Sequence, residues 1–309
     1  MGNGKELAEL GNILIHPGFH KTGTTFLQNA VFADESTFIR PWDRATVARA
    51  IIQPHPLAFE PDAARRDLVG ALAAAETRTV VLSEEGLSGN PFIGARGSAD
   101  LARRLHALFP QARVLLTVRR QSELLPSLYT QYLKEGGRRS PDAFFTPAIY
   151  PEFPHFDPGI FCFDRLARAY AQLFGTERLL VLPQELLRQD QTAFLAALAR
   201  FIDTGPLSAA VATDRRTGNT SPSIGNGALF RIGNRFLRSP FNETGTLARR
   251  FTPARVIRSM AYALPSSGEK ERARVAAAIA PFVPQFEQSN RNLQAFCPVD
   301  LARFGYFEG

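Results

Sequence analysis

Eight consecutive residues, Gly18-Phe19-His20-Lys21-Thr22-Gly23-Thr24-Thr25, carry the strongest chemical signal in the sequence. They lie between a short apolar run, Asn12–His16, and a segment of helical pattern, Thr24–Phe32. Glycines let a backbone turn so that successive N–H groups point inward, and the start of a helix adds the positive end of its dipole. Lys21 contributes a full charge, and Thr24 and Thr25 contribute hydroxyl donors. After a strand, such a loop makes a cradle for phosphate. The spacing is not that of a Walker A loop, in which four residues separate the first glycine from Gly-Lys-Ser/Thr. Here the lysine stands two residues before the second glycine, and the threonine pair follows that glycine directly. An ATPase would also want an Asp at a strand end for Mg²⁺, and none of the strands predicted below ends in one.

Other candidates cluster after other apolar runs. Arg119 follows Arg113–Val118, and Ser127 stands eight positions later on the next helical segment. An arginine at the carboxyl end of a parallel strand lies on the ligand edge of an α/β sheet, and its guanidinium fork suits phosphate oxygens. Ser127 can offer a hydroxyl to the same anion. Arg120 reads as a surface arginine. Glu84 and Glu85 follow Thr79–Ser83, and a carboxylate there shares the cradle's edge. Enclosure would raise its pKa toward the range of a general base. Glu84, Glu85 and His55 are the candidates for such a base. His20 adjoins Lys21 and can orient it. The basic, Gly- and Ser-rich stretch Thr213–Gly227 has the composition of an anion loop, with Arg216 and Asn219 as candidates. His16, His106 and His155 show no pattern.

These residues need a scaffold that brings strand ends together. Asn12–His16, Thr79–Ser83, Arg113–Val118 and Arg178–Leu182 are short, rich in Val, Ile and Leu, and do not alternate with polar residues. That pattern predicts strands covered on both faces of a parallel sheet. Amphipathic segments at Thr24–Phe32, Asp62–Glu76, Ala99–Phe109, Glu123–Glu135, Asp164–Phe174 and Gln191–Ile202 predict the intervening helices. Gly136-Gly137 and Gly175 supply stop signals. Strands alternating with helices predict an α/β fold, a P-loop-like parallel sheet flanked by helices. After Gly205 the pattern changes to helical material broken by Pro240, Pro253 and Pro265, and Pro281 and Pro284 interrupt Glu269–Gln294. The expected organisation is one domain over 1–309, with an α/β nucleotide-binding core at 1–205 and a helical C-terminal extension at 206–309. The Phe-rich stretch Phe144–Phe163 suggests an acceptor wall or lid, with plain packing as the default.

Composition narrows the classes. The 309 residues are 45% hydrophobic and 21% charged, enough for a core and unlike a disordered chain. The formal charge is +7, and only four of the 36 basic residues are lysines, so Lys21 in a Gly/Thr loop stands out. The basic residues are scattered and never form a dense run, so a small anionic substrate is as good a partner as nucleic acid. Two cysteines without metal spacing imply neither a disulfide framework nor a metal site. No run has the length of a membrane span, and the first residues lack an apolar signal core and the myristoylation pattern. The expected location is cytoplasmic.

The stretch His16–Gln28 resembles the 5′-phosphosulfate loop of sulfotransferases that use 3′-phosphoadenosine 5′-phosphosulfate (PAPS), in their bacterial type. Gly18, Lys21, Gly23, Thr24 and Thr25 meet the pattern Gly-x-x-Lys-x-Gly-Thr-Thr/Ser. The Arg119/Ser127 spacing resembles the family's 3′-phosphate site. Ser289-Asn290-Arg291-Asn292-Leu293, with Asp300-Leu301 and Phe304-Gly305-Tyr306, is similar to the tail of bacterial members. The resemblance implies sulfuryl transfer from PAPS, without a metal, to a hydroxyl or amine of a small-molecule or glycan acceptor, carbohydrate or lipid-linked. It implies donor binding by Gly18, His20, Lys21, Thr22, Gly23, Thr24, Thr25, Arg119, Ser127, Arg216 and Asn219. Lys21, Glu84 and His20 would act in catalysis. A P-loop nucleotide kinase or ATPase with an atypical loop, or a non-catalytic nucleic-acid- or anion-binding protein, are the alternatives.

Overall fold

In the computed structural model the described residues are 12–69, 75, 77–147, 153–208, 226–243 and 268–308. In chain order the elements are β1 (Ile13–His16), α1 (Thr24–Phe26, continued by a π-helical turn over Leu27–Val31), β2 (Phe38–Ile39), α2 (Arg44–Val47, likewise continued to Ile52), α3 (Pro61–Val69), β3 (Thr79–Ser83), α4 (Ser98–Leu108) and β4 (Arg113–Val118). Then come α5 (Gln121–Lys134), α6 (Pro141–Phe145), α7 (Phe163–Phe174), β5 (Leu179–Pro183), α8 (Gln184–Gln189), α9 (Gln191–Ile202), α10 (Gly227–Phe236), α11 (Glu269–Ile279) and α12 (Val283–Leu293).

The five strands form one wholly parallel sheet in the order β2-β3-β1-β4-β5. β1 and β5 are buried throughout, β4 is buried except at its first residue, and β3 is buried except at its last. Helices cover both faces, as an unalternating apolar strand requires. The chain leaves β1 toward β3 and β2 on one side and later crosses to β4 and β5 on the other. The crevice at the carboxyl ends of the central strands is where such sheets bind ligands. Register aligns those ends: His16 pairs with Ser83, and Val118 pairs with Pro183. The next residues are the 17–23 loop, Glu84-Glu85, Arg119-Arg120 and Gln184-Glu185.

β2 is the one strand with no counterpart in the sequence reading. Two residues on a sheet edge are too few to show a period. Helix α5 begins two residues before the expected start and carries Pro126 inside it, where the Thr130 hydroxyl donates to the Pro126 carbonyl. It stops at the expected glycines: Gly136 has φ +108°, and a Cβ there would collide with Ser239.

The C-terminal helices are seated on the core through buried polar contacts. Asn234 on α10 donates to the carbonyls of Leu133 and Gly137 at 2.8 Å each. The Arg231–Glu271 ion pair joins α10 to α11 beside the Tyr129 hydroxyl. Asn290 on α12 exchanges two 3.0 Å hydrogen bonds with Gln121 at the start of α5 and donates to the Tyr306 carbonyl. The tail motif therefore braces the turn that follows β4. The Phe-rich stretch is mostly core: Phe144, Phe145, Phe156, Phe161 and Phe163 are buried, while Phe153 is about half exposed and stacks on Phe241. Both cysteines are free and buried. Among the described residues no helix is long and apolar enough to cross a membrane.

One core group is out of balance. Tyr170 on α7 is fully buried, its hydroxyl has no hydrogen-bond partner, and burial pushes its phenol pKa upward. Tyr170→Phe removes that desolvated hydroxyl and keeps the ring, so it should raise the unfolding free energy by about 1 kcal/mol. Urea denaturation of the two proteins tests this, and a loss of stability would show that the hydroxyl is satisfied in solution.

Candidate active site

The loop after β1 is held from below. His16 ends β1 with no exposure; its Nδ1 lies 2.8 Å from Ser83 Oγ on β3, and its Nε2 lies 3.1 Å from Thr117 Oγ1 on β4. The Thr117 hydroxyl also meets Thr22 Oγ1 at 2.9 Å, and Thr22 donates to the Phe19 carbonyl. Phe19 packs on the Phe163 ring at 4.7 Å. Gln28, one helical turn on, donates to the Ser83 carbonyl at 2.9 Å. A lone histidine at a strand end has no pattern in the sequence, and the role of His16 emerges only with its neighbours.

Above this floor the backbone takes three left-handed residues, Gly18 (φ +37°), Lys21 (φ +67°) and Gly23 (φ +94°). At Gly18 a Cβ would stand 2.8 Å from Thr24 Oγ1 and 3.1 Å from His16 Nε2, so only glycine fits. Lys21 adopts a conformation that costs an L residue about 1–2 kcal/mol, a strain that functional loops often hold. Thr24 is buried at the start of α1, and its Oγ1 has no well-formed hydrogen bond although the Glu85 carboxylate lies beside it. Thr25 is exposed. Among the described residues no carboxylate comes within ion-pairing distance of the Lys21 ammonium. A buried hydroxyl without a well-formed hydrogen bond and a lysine with no described carboxylate in ion-pairing distance fit a bound anion.

The two glutamates after β3 part company. Glu84 is 8% exposed; its Oε1 accepts from the Gly86 amide at 3.3 Å and lies 3.5 Å from Arg44 Nε. Glu85 turns to the loop, where Oε2 lies 3.2 Å from His20 Nδ1. Burial raises the Glu85 pKa, but His20, Lys21 and Thr24 together hold it below the ordinary carboxylate value. The other ring nitrogen of His20, Nε2, is buried without a partner. A cleft of about 660 Å³ opens here, bordered by His20, Glu84, Arg44, His55, Gln131 and Glu135 among others. That volume is in the range of small-molecule sites. His55 is exposed at this cleft, and its Nδ1 accepts from the Leu57 amide.

On the other side of the loop, Arg119 donates to the Lys21 carbonyl at 3.4 Å and to Glu123 at 3.0 Å. Ser127 is half-buried two turns along α5 and shares no hydrogen bond with Arg119. Gln184, at the start of α8, lies against Gly23 with a buried, unpartnered Oε1. Arg216 and Asn219 lie outside the described residues. Nothing in the sequence marks His16, Thr117, Gln184, Glu123 or Arg188 as a site residue through a motif. For Gln184 the available signal was its place two residues past a predicted strand, close to the signal that picked out Arg119 and Glu84.

No family model matches the sequence, and no curated protein matches it. Among solved structures, the chain is similar to a sulfotransferase from Alicyclobacillus acidocaldarius at 14% identity and a TM-score of 0.43, over 87% of this chain and 95% of that one. The chemistry of the site is therefore read from its own geometry.

The buried imidazole sets a pH dependence. Desolvation by burial lowers the His16 pKa from 6.5 to about 4, against a smaller raising effect of Glu85. The unfolded chain therefore binds a proton that the folded chain refuses, and stability falls as pH drops from 6.5 toward 4. This group should account for about 3 kcal/mol of that loss. Denaturant titrations at pH 7 and pH 4.5 should show the decline, and His16→Gln should flatten it. An unchanged slope in the variant would mean that His16 titrates normally.

Proposed function

We propose that the protein is a PAPS-dependent sulfotransferase that moves the sulfuryl group to a hydroxyl or amine of a small-molecule or glycan acceptor. The observation that carries this reading is the loop: a lysine outside ion-pairing distance of any described carboxylate and a buried threonine hydroxyl without a well-formed hydrogen bond share a turn so tight that only glycine fits at position 18. Gly18-x-x-Lys21-x-Gly23-Thr24-Thr25 supports a sulfuryl donor over ATP, because its lysine stands before the second glycine.

In this reading the loop amides, Thr22, Thr24 and Thr25 hold the donor's 5′-phosphate. Lys21 sits where charge grows on the departing phosphate oxygen, the point at which electrostatic stabilisation counts most. Arg119 and Ser127 take the 3′-phosphate. The acceptor occupies the cleft beside His20 and Glu84. Its oxygen or nitrogen attacks sulfur in line, the bond from sulfur to the 5′-phosphate oxygen breaks, and the acceptor's proton passes to a base. Glu84 borders the cleft and is the assigned base. Glu85 fixes the imidazole of His20 through Nδ1, leaving Nε2 for the transferring group. The acceptor-facing wall comes from residues after β3 and α5, with Arg44 and His55 opposite.

Lys21→Ala should keep the fold and lower sulfuryl transfer by about 10²–10³-fold, the loss typical of one stabilising charge or donor. Turnover with PAPS and a panel of hydroxyl acceptors measures it, and wild-type rates would refute the role of Lys21. Calorimetry with adenosine 3′,5′-bisphosphate and with ATP, each with and without Mg²⁺, tests the donor class. Binding of ATP alone would move the protein to the nucleotide kinases and ATPases. Glu84→Gln should bind the bisphosphate normally and lose turnover. Full activity there, with loss in Glu85→Gln or His55→Ala, would place the base elsewhere.

A further inference from the structure

Beside the loop, three arginines converge on one carboxylate. Arg119 Nη2 and Arg188 Nη1 each donate to Glu123 Oε2 at 3.0 Å, and Arg120 Nη2 reaches Glu123 Oε1. Arg120 has a second carboxylate of its own. Glu185, 3% exposed, accepts from the Arg120 amide at 3.0 Å and lies 3.7 Å from Arg120 Nε, while the Tyr306 hydroxyl donates to its other oxygen. Arg120 is thus part of the frame that joins the C-terminal turn to the sheet edge. Arg119 and Arg188 have no carboxylate but Glu123 among the described residues.

The match between these groups is incomplete. A single carboxylate oxygen serves two guanidinium groups, and Arg119 Nε is buried with no hydrogen-bond partner. Burial raises the Glu123 pKa, but Arg119 and Arg120 outweigh it and hold the group below its usual value, so it is a stable anion. A phosphate monoester brings up to two charges and three acceptor oxygens to such a place, and bidentate guanidinium pairing favours it over one carboxylate. The cluster adjoins the cradle, because Arg119 Nη1 donates to the Lys21 carbonyl.

We infer that Glu123 is a resident counter-anion in the site for the donor's 3′-phosphate, and that Arg188 is an added ligand of that phosphate. This rests on the sulfotransferase reading and deepens it. On donor binding the phosphate takes Arg119 and Arg188, and Glu123 gives them up while keeping Arg120. A nucleotide without a 3′-phosphate cannot displace Glu123, so the exchange selects bisphosphorylated donors and products over 5′-phosphates.

The test is calorimetry on the full chain with adenosine 3′,5′-bisphosphate and with 5′-AMP, in low and high NaCl. Arg188→Gln changes a half-exposed side chain, and thermal melts confirm that it folds. It should weaken the bisphosphate by roughly tenfold, the scale of one charge-assisted hydrogen bond, and leave 5′-AMP within about twofold. Glu123→Gln should tighten the bisphosphate by about fivefold, with the gain shrinking at high salt. An unchanged ratio of the two ligands in Arg188→Gln would overturn the inference. So would weaker bisphosphate binding in Glu123→Gln, which would make Glu123 a positioning residue for Arg119. If the wild-type chain binds no bisphosphate, the donor reading itself falls, and this inference with it.

Discussion

The site depends on a neutral imidazole sealed beneath a strained loop. His16 joins three adjacent strands at their carboxyl ends, through Ser83 on one side and Thr117 on the other. The Thr117 hydroxyl passes the connection up to Thr22. A charged imidazole there would lose its solvation and would set a cation under a loop that already carries Lys21. A neutral one serves as both donor and acceptor, so each hydroxyl can complete its own pair. Gly18 then passes so near the ring and Thr24 that no side chain fits. The left-handed turns at Gly18, Lys21 and Gly23 are affordable because this floor and the Phe19–Phe163 contact hold the loop from beneath.

Charge is arranged around that loop with a clear asymmetry. Toward β3 the partners are a carboxylate and an imidazole, Glu85 with His20, and the neighbouring cleft carries Glu84. Toward β4 and β5 the partners are guanidinium groups, gathered on Glu123 and Glu185. Proton transfer suits the first side and anion recognition the second, with Lys21 between them. The division follows from topology, since residues after β3 and residues after β4 leave the sheet on opposite flanks of β1.

Strands and helices were legible where burial imposed a pattern. The four long strands are unbroken apolar runs, and Gln191–Ile202 appears with the boundaries its periodicity predicts. The tail motif was visible as residues, yet its use was not: Asn290 and Tyr306 brace Gln121 and Glu185, contacts that span more than a hundred positions. The Phe-rich stretch read as packing by default with a wall or lid as the other possibility, and five of its phenylalanines are core. Composition cannot separate a wall from a core, because both want aromatic area.

The sequence by itself determined the parallel sheet, the cradle loop and the set of residues that follow each strand, because apolar runs, glycines and a lysine among threonines leave local marks. Only the tertiary structure decided how those residues are shared out. It turned Glu84 and Glu85 to different neighbours, put His16 under the loop, and drew Arg188 to Glu123 across 65 positions. Those outcomes depend on strand order and register, which bring distant side chains within hydrogen-bond reach, and no short stretch of sequence encodes that proximity.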